Sequence, residues 1–373
     1  MASNALDYIT IQGFKSIASV EKLELRPINV LIGPNGSGKS NFVGVFAFLH
    51  AIREGRLRDY VTGAGGAEKV LHFGSKTTKE VHLFLSFRDE KNQYELTLSP
   101  TDDDGLFPSE EIAYFWDKAR DFGRPYHEYL SSREQGREAG ISDPKPLPVS
   151  KWVRDHLGSW RLYHLHDTSS SSPMRKTAKV DDNDFLRVDG ANLAAFLYYL
   201  RDMHQDSYRL IRRTVQRVAP FFDDFQLKPL RRRPDTIKLE WRHRNSDQYF
   251  DASSLSDGTM RFIALATLFL QPEFYRPSMI LVDEPELGLH PYAIEMLAAL
   301  IRQASVGTQV IVSTQSSLLL DHFEPEDVLV ANRAEGATQL TRLESKDLAV
   351  WRKDYSLGQL WEKNEFGGRP VRD

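Results

Sequence analysis

Cysteine is absent from all 373 residues, which removes disulfides, thiolate catalysis and cysteine-based zinc sites and suits a reducing compartment. Long apolar runs are also missing. The longest, "FIALATLFL" at 262–270, falls far short of the ~20 residues that span a bilayer. The opening "MASNALDYIT" has no basic segment leading into an apolar core, so no signal peptide is expected. A soluble, cytoplasmic protein without a membrane partner is the expectation. Charge of one sign is not in excess, with 52 acidic and 48 basic residues and a net charge of −4. That balance argues against a histone-like binder and leaves a local basic face open. No 20–50-residue repeat is evident. What is present is a 41% apolar content, enough for one large or two ordinary cores.

Residues 8–32 alternate strand-like runs with turns and end in "INVLIG", a buried-strand pattern. A helix is expected over 38–55, then a glycine-rich loop at 62–69 and paired strands at 79–89 and 93–99. Regularity fails from about 100 to 158, where turn-forming residues suggest an insertion or lid. "WRLYHLHD" (160–167) returns to strand, and "TSSSSPMRKTAK" after it reads as an exposed loop. Residues 192–220 carry one helical period ending at Pro220, followed by two strand segments, "DFQLKPL" and "TIKLEW".

The strongest local signal is "GPNGSGKS" at 33–40, directly after a buried strand and opening a helix. Glycines let such a loop curl its amides around phosphates, and the helix N-terminus adds favourable potential. The residues expected to cradle nucleotide are Gly33, Pro34, Asn35, Gly36, Ser37, Gly38, Lys39, Ser40 and Asn41, with Lys39 neutralising phosphate and Ser40 supplying a hydroxyl to Mg²⁺. "SMILVDEPE" (278–286) delivers two carboxylates at the C-terminal end of a hydrophobic strand, where α/β sheets bind ligands. Asp283 suits the Mg²⁺ shell, and Glu284 suits orienting or deprotonating a water. "LSDGT" (255–259) before an apolar helix is locally an N-cap, with Asp257 the expected capping side chain.

Taken together, "GPNGSGKS", "LSDGT", "ILVDE", "PELGLHP" and "QVIVSTQS" resemble, in order, the motifs of ABC-type ATPases of the SMC/RecF/OLD-like branch, nearest to stand-alone AAA_21-type members. The resemblance covers roughly 1–100 and 160–330. It implies an Mg²⁺-dependent ATPase in which ATP is sandwiched between two subunits. Lys39, Glu284 and the switch residue Gln315 of one subunit would act catalytically, and Ser256, Asp257, Gly258 and Thr259 of the other would complete the nucleotide site. Three departures stand out. Asp257 replaces the first glycine of the "LSGGQ" signature, Gln315 stands where many members have a histidine, and no Q-loop glutamine is found between 41 and 92.

Other candidates have two readings each. His290 in "GLHP" is either a relay at a dimer seam or a turn before Pro291. His164 and His166 alternate beside Asp167, compatible with a metal or with a half-buried polar pair. Residues 206–244 hold eleven Lys/Arg against five Asp/Glu, so the 209–244 segment reads as a DNA contact, a solvated face or a protein contact. The tail, with Trp351, Tyr355, Leu357, Leu360, Trp361 and Phe366, reads as a docking surface or as self-packing.

The expected fold is α/β: an ABC-type P-loop NTPase domain, its mixed or parallel central sheet joined by an antiparallel β-subdomain and a helical or loop insertion, without a long coiled coil. The expected segments are an N-terminal lobe (1–99), an insertion (100–190), a C-terminal lobe (191–330) and a tail (331–373) too short for a Toprim nuclease domain. The resemblance further implies an ATP-sandwiched homodimer, with a higher oligomer left open. It also implies a separately encoded effector, frequently nuclease-like, in phage defence or DNA repair. A non-catalytic ATP-dependent scaffold or sensor, a transporter subunit and a small-molecule kinase are the competing readings.

Overall fold

The computed structural model describes residues 5–120, 123–130 and 138–366. The chain divides into two compact units, residues 1–160 with 324–373, and residues 161–323.

In the first unit, a six-stranded antiparallel sheet begins with Leu6–Phe14 and Ile17–Glu24 and continues through Val81–Phe87, Asn92–Pro100, Leu106–Phe115 and Tyr126–Tyr129. Alternation drives it: Leu6, Ile9 and Ile11 are buried from one strand, and Val81, Leu83 and Leu85 from its neighbour. The strand Ile28–Ile32 is buried at every position and pairs in parallel with Val328–Ala334. Val328–Ala334 then turns back through Glu335 and Gly336, both at positive φ, into the antiparallel Ala337–Arg342. Lys39–Arg53 forms a 15-residue helix that buries Phe42, Phe46, Phe48, Leu49 and Ile52. Phe48 stacks on Phe14 at 5.3 Å, and Phe46 meets Trp160 at 5.4 Å. Such aromatic burial is the largest apolar contribution a small core can gather.

The stretch expected to be irregular, 100–158, contains two sheet strands and the helix Pro148–Gly158. Its regularity is hidden because buried carboxylates occupy positions where a sequence reader expects apolar side chains. Glu111 accepts from the Tyr94 hydroxyl at 2.8 Å and from the Gly140 and Ile141 amides at 2.6 and 2.9 Å. Glu128 accepts from the Val149 and Ser150 amides, and so caps the Pro148–Gly158 helix from outside it. Part of the "SSREQGREAG" loop (131–137) lies outside the described residues. The loop expected at 62–69 is instead two short helices, Leu57–Ala64 and Ala67–Val70, around Gly65 and Gly66. In the tail, Leu357 and Leu360 are buried in a short helix while Trp351 is 46% exposed. Residues 367–373 lie outside the described residues.

In the second unit, Met279–Asp283 and Gln309–Ser313 pair in parallel. The helix Asp257–Leu270 is buried at every position from Met260 to Leu270 and packs against Gln205–Val218 and Pro291–Ala304. A helix apolar all round is one surrounded by protein. The helix expected over 192–220 is two, Leu193–Met203 and Gln205–Val218. They part at His204, whose ring packs on Tyr199 and Tyr275. A three-stranded sheet orders Phe222–Gln226, Glu240–His243 and Tyr249–Asp251. Among the described residues no helix is long and apolar enough to cross a membrane.

Candidate nucleotide-binding site

The loop 33–40 in the first unit carries glycine where side chains cannot fit. Gly38 sits at φ +100, and a Cβ there would lie 1.9 Å from the Thr338 hydroxyl. Thr338 belongs to a chain of donors. The Asn41 amide donates to the Ser16 hydroxyl at 2.6 Å, Ser16 and Thr338 hydroxyls meet at 2.7 Å, and Thr338 donates to the Ser37 carbonyl at 2.9 Å. Such chains polarise one another and hold the loop backbone. Asn41, expected to touch nucleotide, is thus turned toward Ser16.

Lys39 is 7% exposed and folds its ammonium over the loop onto the Gly33 and Pro34 carbonyls, at 2.6 and 3.1 Å. The helix it opens has no side-chain cap, so its first-turn amides remain for an anion. The Ser37 hydroxyl is buried with no hydrogen-bond partner. Ser40, Asn35 and Gly36 are exposed. An ammonium over the loop, an uncapped helix end and an unpartnered buried hydroxyl fit a polyphosphate. The exposed Ser40 hydroxyl fits a cation ligand.

In the second unit, Asp283 ends its strand half-buried, with His166 Nε2 at 3.8 Å. Glu284 follows at φ +39, with its amide donating to the Ser313 carbonyl at 2.7 Å. A non-glycine residue held there costs about 1–2 kcal/mol, a strain that gathers at functional sites. The Gln315 amide donates to the Glu284 carboxylate. Glu286 is buried, accepts from the Thr314 hydroxyl and the Gln315 amide, and is pushed up from the usual carboxylate range by burial. His290 caps the helix Pro291–Ala304, its Nδ1 accepting from the Tyr292 amide at 3.3 Å.

The "LSDGT" stretch resolves differently from expectation. Ser256, not Asp257, caps the helix, its hydroxyl accepting from the Thr259 amide at 3.2 Å. Serine reaches the third helical amide from the cap position, whereas Asp257 is already inside the first turn. The Asp257 carboxylate instead pairs with Arg175 at 3.0 Å. Gly258 leaves no room for a side chain, since a Cβ would stand 2.3 Å from the Gly288 carbonyl of "PELGLHP". Beside it, buried Arg261 donates to the Leu165 and His166 carbonyls at 3.1 and 2.8 Å.

His164 and His166 lie beyond the strand Trp160–Tyr163, with rings 6.5 Å apart. Burial, then His166, push His164 down from the usual imidazole value. Among the described residues no cluster of three or more His, Asp or Glu side chains could hold a metal by itself. The loop 168–179 is not simply exposed. Its Ser172 hydroxyl donates to the Asp167 carbonyl at 2.5 Å and accepts from the Met174 amide, and Ser172 and Met174 are buried. Arg175 and Thr338 escaped the sequence reading. A serine-rich loop and a hairpin some 300 residues away carry no local signal; Arg261 was missed as well, although a charge within an apolar helix is a signal that could have found it.

Residues 28–321 match the AAA_21 family, described as "AAA domain, putative AbiEii toxin, Type IV TA system". The chain belongs to that family. This AAA_21 protein is 24% identical over 342 residues to the Old nuclease of Escherichia phage P2, covering 84% of this chain and 56% of the nuclease. Over 106 residues it is 39% identical to the chromosome partition protein Smc of Desulfitobacterium hafniense (strain Y51), covering 28% of this chain and 8% of Smc. The AAA_21 chain therefore spans about half of one curated relative and a small part of the other. Its fold matches an Smc head bound to the C-winged helix domain of ScpA (TM-score 0.57, 15% identity, 92% of this chain and 99% of that one). A second Smc head, derived from Pyrococcus furiosus and bound to the C-terminal domain of ScpA, gives a TM-score of 0.54 at 15% identity over 94% and 99% of the chains. The fold is the ABC-type P-loop ATPase fold of SMC heads, and the family is SMC/OLD-like, as the motif order implied.

Proposed function

We infer that this AAA_21 protein binds and hydrolyses Mg-ATP and dimerises around it. The observation that carries the reading is the "LSDGT" helix end. Ser256 and Asp257 are exposed, the helix is capped by Ser256, and Gly258 is packed tightly on the "PELGLHP" backbone. A P-loop kinase needs no such exposed, rigidly backed helix end, whereas an ATPase completed by a second copy does. In this reading the 33–40 loop and Lys39 hold phosphate, Ser40 and Asp283 are the Mg²⁺ ligands, and Glu284 orients the attacking water. Mg²⁺ would supply charge neutralisation at the phosphates.

Glu284→Gln removes the base while keeping shape. The variant is expected to accumulate as an ATP-dependent dimer in size-exclusion chromatography with light scattering. A variant that binds ATP yet stays monomeric rules the sandwich out. A second reading, an assembly scaffold with negligible turnover, is favoured by the Gln315–Glu284 hydrogen bond, which engages the base. ATP affinity with no phosphate release from the wild type selects it.

The downstream role we infer is switching of a separate effector that acts on nucleic acid, in phage defence or DNA repair. Support comes from the similarity to Old nuclease and from the basic segment. Arg212, Arg242 and Lys238 are paired with Asp224, Asp223 and Glu240/Asp251. The exposed hairpin tip Arg231–Arg233 is therefore the part best suited to phosphate. Reversing those three charges is expected to abolish DNA stimulation of turnover at low salt. Unchanged stimulation removes DNA from the proposal.

A further inference from the structure

Asp257 is where this signature departs from "LSGGQ", and a carboxylate at a helix end meant for phosphate needs a counter-charge. The protein holds one in Arg175. This side chain is 6% exposed, whereas Asp257 is 68% exposed. Its guanidinium donates to the Thr168 carbonyl at 2.9 Å, to Ala252, to the Leu255 carbonyl at 3.1 Å and to the Asp257 carboxylate at 3.0 Å. Ala252 and Leu255 bracket the turn from which Ser256 departs. The arginine is itself fixed by its short 3₁₀ turn, Pro173–Arg175, capped by Ser172.

We propose that Arg175 is a positioning residue for the signature. It cancels the Asp257 carboxylate and fixes the turn that aims Ser256, so the aspartate-bearing helix end meets nucleotide without net negative charge. The inference rests on the ATP-sandwich reading above. Charge, not shape alone, is the operative quantity. An uncompensated unit charge beside a phosphate changes binding by on the order of ten- to a hundredfold at the effective dielectric of a protein surface, and salt screens it.

The experiment measures ATP-driven dimerisation by sedimentation velocity in the Glu284→Gln background at low and high salt, with the melting temperature of each variant recorded. Arg175→Gln is expected to weaken the dimer on the order of tenfold or more, with the loss shrinking in high salt. Asp257→Asn, which leaves the guanidinium uncancelled, is expected to tighten it, and the double variant to recover most of what Arg175→Gln lost. Equal, salt-insensitive weakening by both single variants means a mechanical latch and overturns the proposal. So does a folded Arg175→Gln protein that dimerises like its parent. Should Arg175→Gln fail to fold, the sign at the exposed Asp257 decides: tightening supports charge cancellation and weakening refutes it. If the parent binds fluorescent ATP but never dimerises, the sandwich reading itself has failed. That outcome is distinct from a dimer indifferent to Arg175.

Discussion

Replacing Thr338 with valine removes one hydroxyl and almost no volume, at a position 1% exposed. That hydroxyl lies 2.9 Å from the Ser37 carbonyl and 2.7 Å from the Ser16 hydroxyl. A buried acceptor deprived of a donor costs about 1–3 kcal/mol, and valine fills the shape, so little cavity cost adds to it. Taking ~2 kcal/mol, the equilibrium that the contact governs shifts about 30-fold. Because the bonds end on the loop backbone at Ser37 and not on the apolar core, most of that shift is expected in ATP affinity. A smaller share is expected in the urea midpoint. Titration with a fluorescent ATP analogue and urea unfolding of Thr338→Val and Thr338→Ser separate the two. Serine keeps the hydroxyl and is expected to bind within a few-fold of wild type. If valine binds ATP as tightly as serine, the donor chain does not hold the phosphate loop and the reasoning is wrong.

Gly258→Ala is expected to leave ATP binding intact and to abolish ATP-dependent dimerisation, because a Cβ 2.3 Å from the Gly288 carbonyl must displace backbone. Light scattering with ATP checks it, and a normal dimer refutes it. Glu111 titrates in a readable direction. Burial outweighs its hydrogen bonds to Tyr94, Ile141 and Gly140 and raises its carboxyl above the ordinary 4.5. The folded state keeps that proton to higher pH than the unfolded chain. Its stabilisation is thus complete below the unfolded value and is lost as pH rises through the folded one. Relative to Glu111→Gln, which cannot titrate, wild-type stability is expected to fall as pH rises past the ordinary carboxylate value of 4.5. Urea midpoints across that rise show it, and a constant difference denies it.

Motif order carried the fold into the sequence because each motif combines a strand, a turn and a helix end whose chemistry is local. "GPNGSGKS" follows a strand buried at all five positions, and "ILVDE" ends one buried at four of its five. The region 100–158 was illegible because Glu111 and Glu128 are interior acceptors for backbone amides of later loops. A single sequence does not show which amides a carboxylate will meet. The single helix expected over 192–220 failed for a related reason. His204 breaks the helix without glycine or proline, held by ring contacts to Tyr275, 71 positions on. At the candidate site the residues named from motifs lie where strand ends and helix starts put them. Ser256 caps because Asp257 already stands inside the first turn, and the aspartate's partner, Arg175, lies in a loop whose serines masked its burial.

The Thr338–Ser37 bond joins residues 301 positions apart, and that separation has a kinetic consequence. The loop 33–40 precedes in the chain the hairpin that supplies its floor, and hundreds of residues lie between them. Contacts of such range close slowly, after local elements have formed. During synthesis the nascent chain therefore carries an unbraced phosphate loop until residue 338 has left the ribosome.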